Sequence, residues 1–128
     1  MSKDLNLKIY GLTTVGAKGQ VIIPKELRND LNVKVGVEFK VFLVEKVAFG
    51  ILEKNKIKKP KSILELENYG DINIGTKFQF VIPSNIRKKL NINPGDSLIV
   101  IGKGGKGIGF IKNDKIEYLL DFIKKQTM

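Results

Sequence analysis

The chain has 128 residues, 42% of them hydrophobic, with 23 lysines and arginines against 13 acidic residues and a net charge of +10. Cysteine and histidine are both absent, which excludes disulfides and thiolate metal sites and removes the commonest general base and metal ligand. A charge this positive favours an anionic partner, nucleic acid ahead of a membrane surface, against the plain alternative of a lysine-rich solvating surface.

Met1 to Asp4 is polar and no apolar run of membrane-spanning length follows, so the expectation is a soluble, cytoplasmic protein. Leu5 to Thr14 alternates, with Leu5, Leu7 and Ile9 on one side and Asn6, Lys8 and Tyr10 on the other, the pattern of a half-buried strand. Gly16 to Gly36 (GAKGQVIIPKELRNDLNVKVG) follows. Gly16 and Gly19 bracket a basic turn at Lys18, and Gln20 leads into the β-branched run Val21-Ile22-Ile23, which reads as a strand. Pro24 stops that strand and suits the first residue of a helix. Lys25 to Leu31 then places Leu27 and Leu31 on one helical face, and Asn32 is a fitting left-handed cap. Val37–Val44 becomes wholly apolar, as a strand does when both faces are covered, and Val47–Glu53 returns as its hairpin partner.

The same stretch recurs at 75–95 (GTKFQFVIPSNIRKKLNINPG), 59 residues later and without a gap. Gly16/Gly75, Lys18/Lys77, Gln20/Gln79, Ile23/Ile82, Pro24/Pro83, Arg28/Arg87, Leu31/Leu90, Asn32/Asn91 and Gly36/Gly95 stay in register. Leu5, Leu7, Tyr10 and Gly11 match Leu64, Leu66, Tyr69 and Gly70. The pattern is that of an internal duplication, with repeats at 5–54 and 64–113, a basic linker at 55–63 and a tail at 114–128. The linker carries Lys56, Lys58, Lys59 and Lys61 around Pro60, which fits a solvated tether or a strap lying on phosphates.

In the second repeat Asn93-Pro94-Gly95-Asp96 suits a type II turn, and Ser97–Ile101 and Ile108–Ile111 read as the closing hairpin. Its connection, Gly102 to Gly107 (GKGGKG), lacks the spacing of a phosphate-binding loop and sits where a hairpin turn belongs. Lys103 and Lys106 on it remain able to touch nucleic acid. In the tail, Asp114 and Glu117 have capping-box spacing. Ile116, Leu119, Leu120 and Ile123 form one helical stripe, and Lys124 and Lys125 suit the negative helix end. Such a helix either covers an open end of a barrel or serves dimerisation or partner binding.

No constellation supports catalysis. Glu26 and Asp30 are one helical turn apart, but their counterparts are Asn85 and Lys89, and they read as surface charges. The strand aromatics Phe39, Phe42, Phe49 and Phe80 read as core, as do Tyr10 and Tyr69. Phe78, which replaces Gly19 in a turn, is the candidate for exposure and base stacking.

The stretch Val15 to Arg28, with Leu31 and Val35-Gly36, resembles the SpoVT-AbrB or MazE-like family of DNA-binding domains. The second copy matches it at Ile82-Pro83, Ile86-Arg87, Leu90 and Pro94-Gly95-Asp96. The resemblance implies a mainly β fold with short helices: a swapped-hairpin barrel built from two interleaved copies, here two tandem repeats followed by a C-terminal amphipathic helix. The copies are expected to interleave within one chain as a pseudo-dimer, the alternative being pairing between chains in a larger homodimer. The implied function is duplex DNA binding in prokaryotic transcription regulation, close to the nucleoid; the lack of His, Cys and any catalytic constellation adds the expectation of no enzyme activity, cofactor or metal. By motif position, Lys18, Gln20, Lys25 and Arg28 fall to one DNA-facing surface and Lys77, Gln79, Arg87 and Lys88 to the other. Relatives often carry a basic residue where this chain has Thr13 and Ile72, and arginine where it has Gln20 and Gln79, which points to shape readout over strict base readout. Residues 1–54 hold nine basic and six acidic groups, and 55–128 hold fourteen and seven, so the second half is expected to supply more of the phosphate attraction. The competing function is an antitoxin-like or other protein-interaction module that uses the C-terminal helix.

Overall fold

The computed structural model describes residues 7–56, 67–103 and 107–127. Leu5, Leu64, Leu66, the linker lysines Lys58, Lys59 and Lys61, and Lys106 of the glycine-rich turn lie outside them.

The fold is mainly β. In chain order it runs β1 (Leu7–Thr14), β2 (Gln20–Ile22), α1 (Lys25–Asp30), β3 (Glu38–Val44), β4 (Ala48–Glu53), β5 (Glu67–Asn73), β6 (Gln79–Val81), α2 (Ser84–Leu90), β7 (Ser97–Lys103), β8 (Gly107–Lys112) and α3 (Ile116–Thr127). Six strands form one antiparallel sheet in the order β1-β7-β8-β4-β3-β5, and β2 and β6 pair as a separate two-stranded ribbon. The outer strand of each half therefore pairs with the hairpin of the other, β1 with β7 and β5 with β3, while β4 and β8 join at the middle. The registers correspond: Ile9 faces Ile101 and Leu12 faces Ile99, while 59 residues away Asn68 faces Phe42 and Asp71 faces Lys40.

The expected barrel does not close. Among the described residues β1 and β5 each pair on one side only, which leaves the sheet open. Each carries a bulge, where Gly11 (φ +106°) and Gly70 (φ +118°) adopt a conformation that L side chains avoid. A bulge bends an edge strand and blunts it against further pairing. Beyond its bulge β1 meets the ribbon through a side chain, Thr13 Oγ1 donating to the Ile22 carbonyl at 2.9 Å.

The bulge also changes which face of β1 is buried. Alternation groups Leu7 with Ile9, yet Ile9 is 55% and Leu12 56% exposed, while Tyr10 packs on the core and Thr13 and Val15 are buried. One inserted residue reverses the alternation, a change that periodicity does not reveal.

The inner face of the sheet, the ribbon and the two short helices enclose one core. At its centre Phe49 stacks on Phe110 with centroids 4.8 Å apart, and Phe80 from the ribbon meets both edge-on at 6.4 and 5.5 Å. Val21, Ile23, Leu27, Ile82 and Ile86 are fully buried beside them. Pro24 and Pro83 act as N-caps (ψ 144° and 140°), so the helices begin one residue later than the proline suggests. Asn32 (φ +54°) takes the left-handed conformation expected of it, and its counterpart Asn91 (φ +55°) does the same. At Asn93–Asp96, Gly95 has φ +92° and the Asp96 amide donates to the Asn93 carbonyl at 3.0 Å, as a type II turn requires.

On the outer face, α3 packs Leu119 against Ile99 and Ile111, with Val47, Ala48 and Ile101 around them. The helix covers a sheet face and not a barrel end. Asp114 falls in the single 3-10 turn Asn113–Lys115 before the helix. Of the anticipated stripe, Leu119 is buried while Ile116 and Leu120 are exposed.

Candidate nucleic-acid interface

The ribbon is centred on the pair Val21–Phe80, whose residues are themselves 59 apart. Both point inward and are buried. Alternation then turns the flanking residues outward: Gln20 lies across from Val81, and Ile22 across from Gln79. Ile22 is 52% and Val81 51% exposed.

The strands are antiparallel, so the two turns that lead into them sit at opposite ends of the ribbon. Each turn is closed in the same way. The Gly19 amide donates to the Gly16 carbonyl at 3.0 Å and the Phe78 amide to the Gly75 carbonyl at 2.9 Å. The side chains of Gln20 and Gln79 fold back over these turns, where their Oε1 atoms accept from the Lys18 and Lys77 amides at 2.9 Å. A Cβ on Gly16 would lie 2.5 Å from the Gln20 amide group, so glycine is required for that fold-back. Gln20 and Gln79 thus hold the turns that present Lys18 and Lys77.

Each helix starts where its strand ends and so reaches the turn of the other half. Arg28 on α1 lies over the Phe78 ring, Cζ 4.3 Å from the centroid. Arg87 on α2 lies against Gly19, where an added Cβ would sit 2.7 Å from its Cζ. The motif grouped Arg28 with Lys18 and Arg87 with Lys77; the fold exchanges them, placing Arg28 at the Lys77 turn and Arg87 at the Lys18 turn. Phe78 is half-buried under Arg28 and not a free platform. Arg87 Nε donates to the Ile82 carbonyl at 2.9 Å, whereas Arg28 Nε is buried without a partner. Thr13 and Ile72, at positions where relatives are often basic, both point inward and are buried.

Ion pairs engage some of the cations and not others. On β1, Lys8 Nζ bonds Glu26 at 2.6 Å and Asp30 at 3.2 Å, and the Tyr10 hydroxyl donates to Asp30 at 2.8 Å. These contacts occupy both acids of α1. Hydrogen bonds from Tyr10 and then Lys8 hold the Asp30 carboxyl below its usual range, and the bonds to Glu26 and then Asp30 raise Lys8 above its own. On the outer sheet face Asp71 lies 3.2 Å from Lys40 and 3.3 Å from Lys54. Hydrogen bonds from Lys40 and then Lys54 depress the Asp71 carboxyl. By contrast Lys18, Lys25, Lys77, Lys88 and Lys89 are exposed and have no carboxylate partner among the described residues.

Among the described residues no cluster of His, Cys, Asp or Glu could hold a metal, and no helix is long and apolar enough to cross a membrane. Sequence reasoning missed Ile22 and Val81. Their β-branched run read as a strand, and the alternation that turns them outward becomes visible only once Val21 and Phe80 are known to be the inward pair.

Comparison with known proteins adds three findings. No curated protein matches the chain. A solution structure of PHS018 from Pyrococcus horikoshii is similar at 21% identity, covering 82% of this chain and 90% of that one, with a TM-score of 0.39. Residues 12–49 match the family model described as antidote-toxin recognition MazE, bacterial antitoxin. Over those residues, which take in β2, α1 and β3 entire, this chain resembles the AbrB/MazE-like family, as its Gly-Gln, Ile-Pro and Leu-Arg motif implies.

Proposed function

We propose that the chain is a DNA-binding regulator made of two AbrB-like units, 5–54 and 64–113, joined by the linker 55–63, followed by the helical tail 114–128 and interleaved as a pseudo-dimer. One observation carries the reading. At each end of the ribbon the lysine-bearing turn of one half lies against a helix arginine of the other, and among the described residues Lys18, Lys25, Lys77, Lys88 and Lys89 have no carboxylate partner. Cations without partners are the groups that displace counterions from phosphates. Lys18, Arg87 and Lys88 would serve one end, and Lys77, Arg28 and Lys25 the other. The site works in a nucleoid-associated, cytoplasmic setting and uses no cofactor.

The test is fluorescence anisotropy of a labelled duplex across a salt series, with wild type beside Arg28→Ala/Arg87→Ala. A steep fall in affinity with salt and a clear loss in the variant are the expected results. No binding at low salt would overturn the reading, and thermal unfolding of the same variant separates a binding defect from a folding defect.

A second reading has its own support. The matched family is described by toxin recognition, and α3 exposes Ile116, Tyr118 and Leu120. On this antitoxin-like reading the helix docks a protein partner. Co-purification with the product of a neighbouring gene, lost on truncation at residue 115, would favour it.

A further inference from the structure

Ile22 and Val81 have no assigned role, yet they form the one apolar element on the outward face of the ribbon. Both are β-branched, about half exposed, and related by the 59-residue register that relates the two halves. A neighbouring polar pair, Gln20 and Gln79, is drawn off into the turns by its own hydrogen bonds. The outward face of the ribbon therefore offers two branched alkyl groups between two cationic ends.

These dimensions match a duplex. Three residues at about 3.3 Å each give the ribbon a length of roughly 10 Å. A major groove is about 12 Å wide and admits a two-stranded ribbon. With the ribbon in the groove, the ends carrying Lys18 with Arg87 and Lys77 with Arg28 fall toward the two phosphate walls. The side chains left facing the base edges are Ile22 and Val81. An alkyl group at a base edge has one apolar partner there, the C5-methyl of thymine.

We propose that Ile22 and Val81 are base-reading residues, and that they select thymine by methyl contact at two positions placed symmetrically about the centre of the bound site. The proposal rests on the DNA-binding reading above and adds to it the source of sequence preference. The occupant is duplex DNA and not an apolar protein surface because the alkyl pair is bracketed at both ends by lysines that have no carboxylate partner among the described residues, which repel a cationic surface and match a polyanion.

The experiment uses the whole chain. A duplex enriched from a random library by wild type is compared with the same duplex in which deoxyuridine replaces thymidine, which removes only the methyl groups. Wild type is set beside Ile22→Ser/Val81→Ser, and a scrambled duplex serves as reference. Substitution with uridine should weaken wild-type binding roughly four- to tenfold for each touching methyl group removed. The variant should bind thymine and uracil duplexes alike, with its affinity for scrambled DNA and its salt slope unchanged. Both side chains are half exposed, so the variant's thermal midpoint should match wild type. Equal binding of thymine and uracil duplexes by wild type, a variant that keeps full site preference, or a library that yields no preferred site would each overturn the assignment while leaving DNA binding in place. No binding to any duplex would overturn both.

Discussion

Gly19 and Phe78 occupy the same place in the two halves, 59 residues apart, and both have positive φ, +81° and +57°. Glycine meets that requirement without strain; a phenylalanine there costs about 1–2 kcal/mol. Phe78 offsets part of this by stacking under Arg28, a contact worth about 0.5–1 kcal/mol where partly exposed. The stack draws Arg28 from the bond its counterpart makes: Arg87 Nε reaches the Ile82 carbonyl, while Arg28 Nε has no partner. The outer sheet faces differ as well. On one wing Leu12, Ile99 and Ile111 lie side by side, and Ile99 and Ile111 receive α3. On the other the equivalent row is Asp71, Lys40 and Leu52, with Lys54 bonded to Asp71. Glycine, proline and inward apolar positions carry the shared backbone, so surface residues diverge without altering it, and only one wing can hold a helix.

The comparison is tested most severely in the core. Ile23 and Ile82 are equivalent and fully buried. Ile23→Ala and Ile82→Ala should each cost about 2–5 kcal/mol by urea unfolding, and nearly the same amount. A gap larger than about 1.5 kcal/mol would show that the halves do not share the core equally. Next comes the wing that holds the helix. Leu119→Ala should cost about 2–3 kcal/mol, read as faster hydrogen exchange along α3 with β7 protection retained.

The charge comparison is smaller and concerns binding. Glu26 and Asp30 neutralise α1, whereas α2 carries Arg87, Lys88 and Lys89. Lys88→Glu/Lys89→Glu should flatten the slope of log affinity against log salt by about 2, and Lys25→Glu by about 1 or less. Equal losses would remove the asymmetry. Phe78→Gly exchanges strain against stacking, so its stability should stay within about 1 kcal/mol of wild type. In that variant the Arg28 Nε–H resonance should move toward that of Arg87 as it gains a backbone acceptor.

The smallest effect is set by pH. Hydrogen bonds depress the Asp30 and Asp71 carboxyls in the folded chain, so their contribution is present above the ordinary carboxylate range and lost as pH falls below about 4. Lys8 and Lys54 are raised, so theirs is present below the ordinary lysine range and lost as pH climbs past about 10. Stability should be flat between these limits. In acid, the α1 amides should exchange earlier than the core strands, because the Lys8–Asp30–Tyr10 contacts that tie α1 to β1 fail as Asp30 takes up its proton. Simultaneous exchange would show that these contacts do not anchor the helix.

Much of the fold was legible in the residues alone. Glycines at the turns, prolines at the strand ends, β-branched runs and leucines one helical turn apart have local causes, and each element lies within a few residues of where they place it. The exchange of strands between halves came from the family resemblance, with which the 59-residue duplication agrees. Three matters were decided only by tertiary structure. An inserted residue at Tyr10 reversed the face of β1, because alternation holds only while pairing is unbroken. The crossing of the halves moved each arginine to the opposite turn, since motif spacing records chain distance and not which half lies alongside. The outward placement of Ile22 and Val81 followed from Val21 and Phe80 filling the core. In a run of three apolar residues nothing local marks which one faces water, and the choice belongs to the surface on which the strand packs.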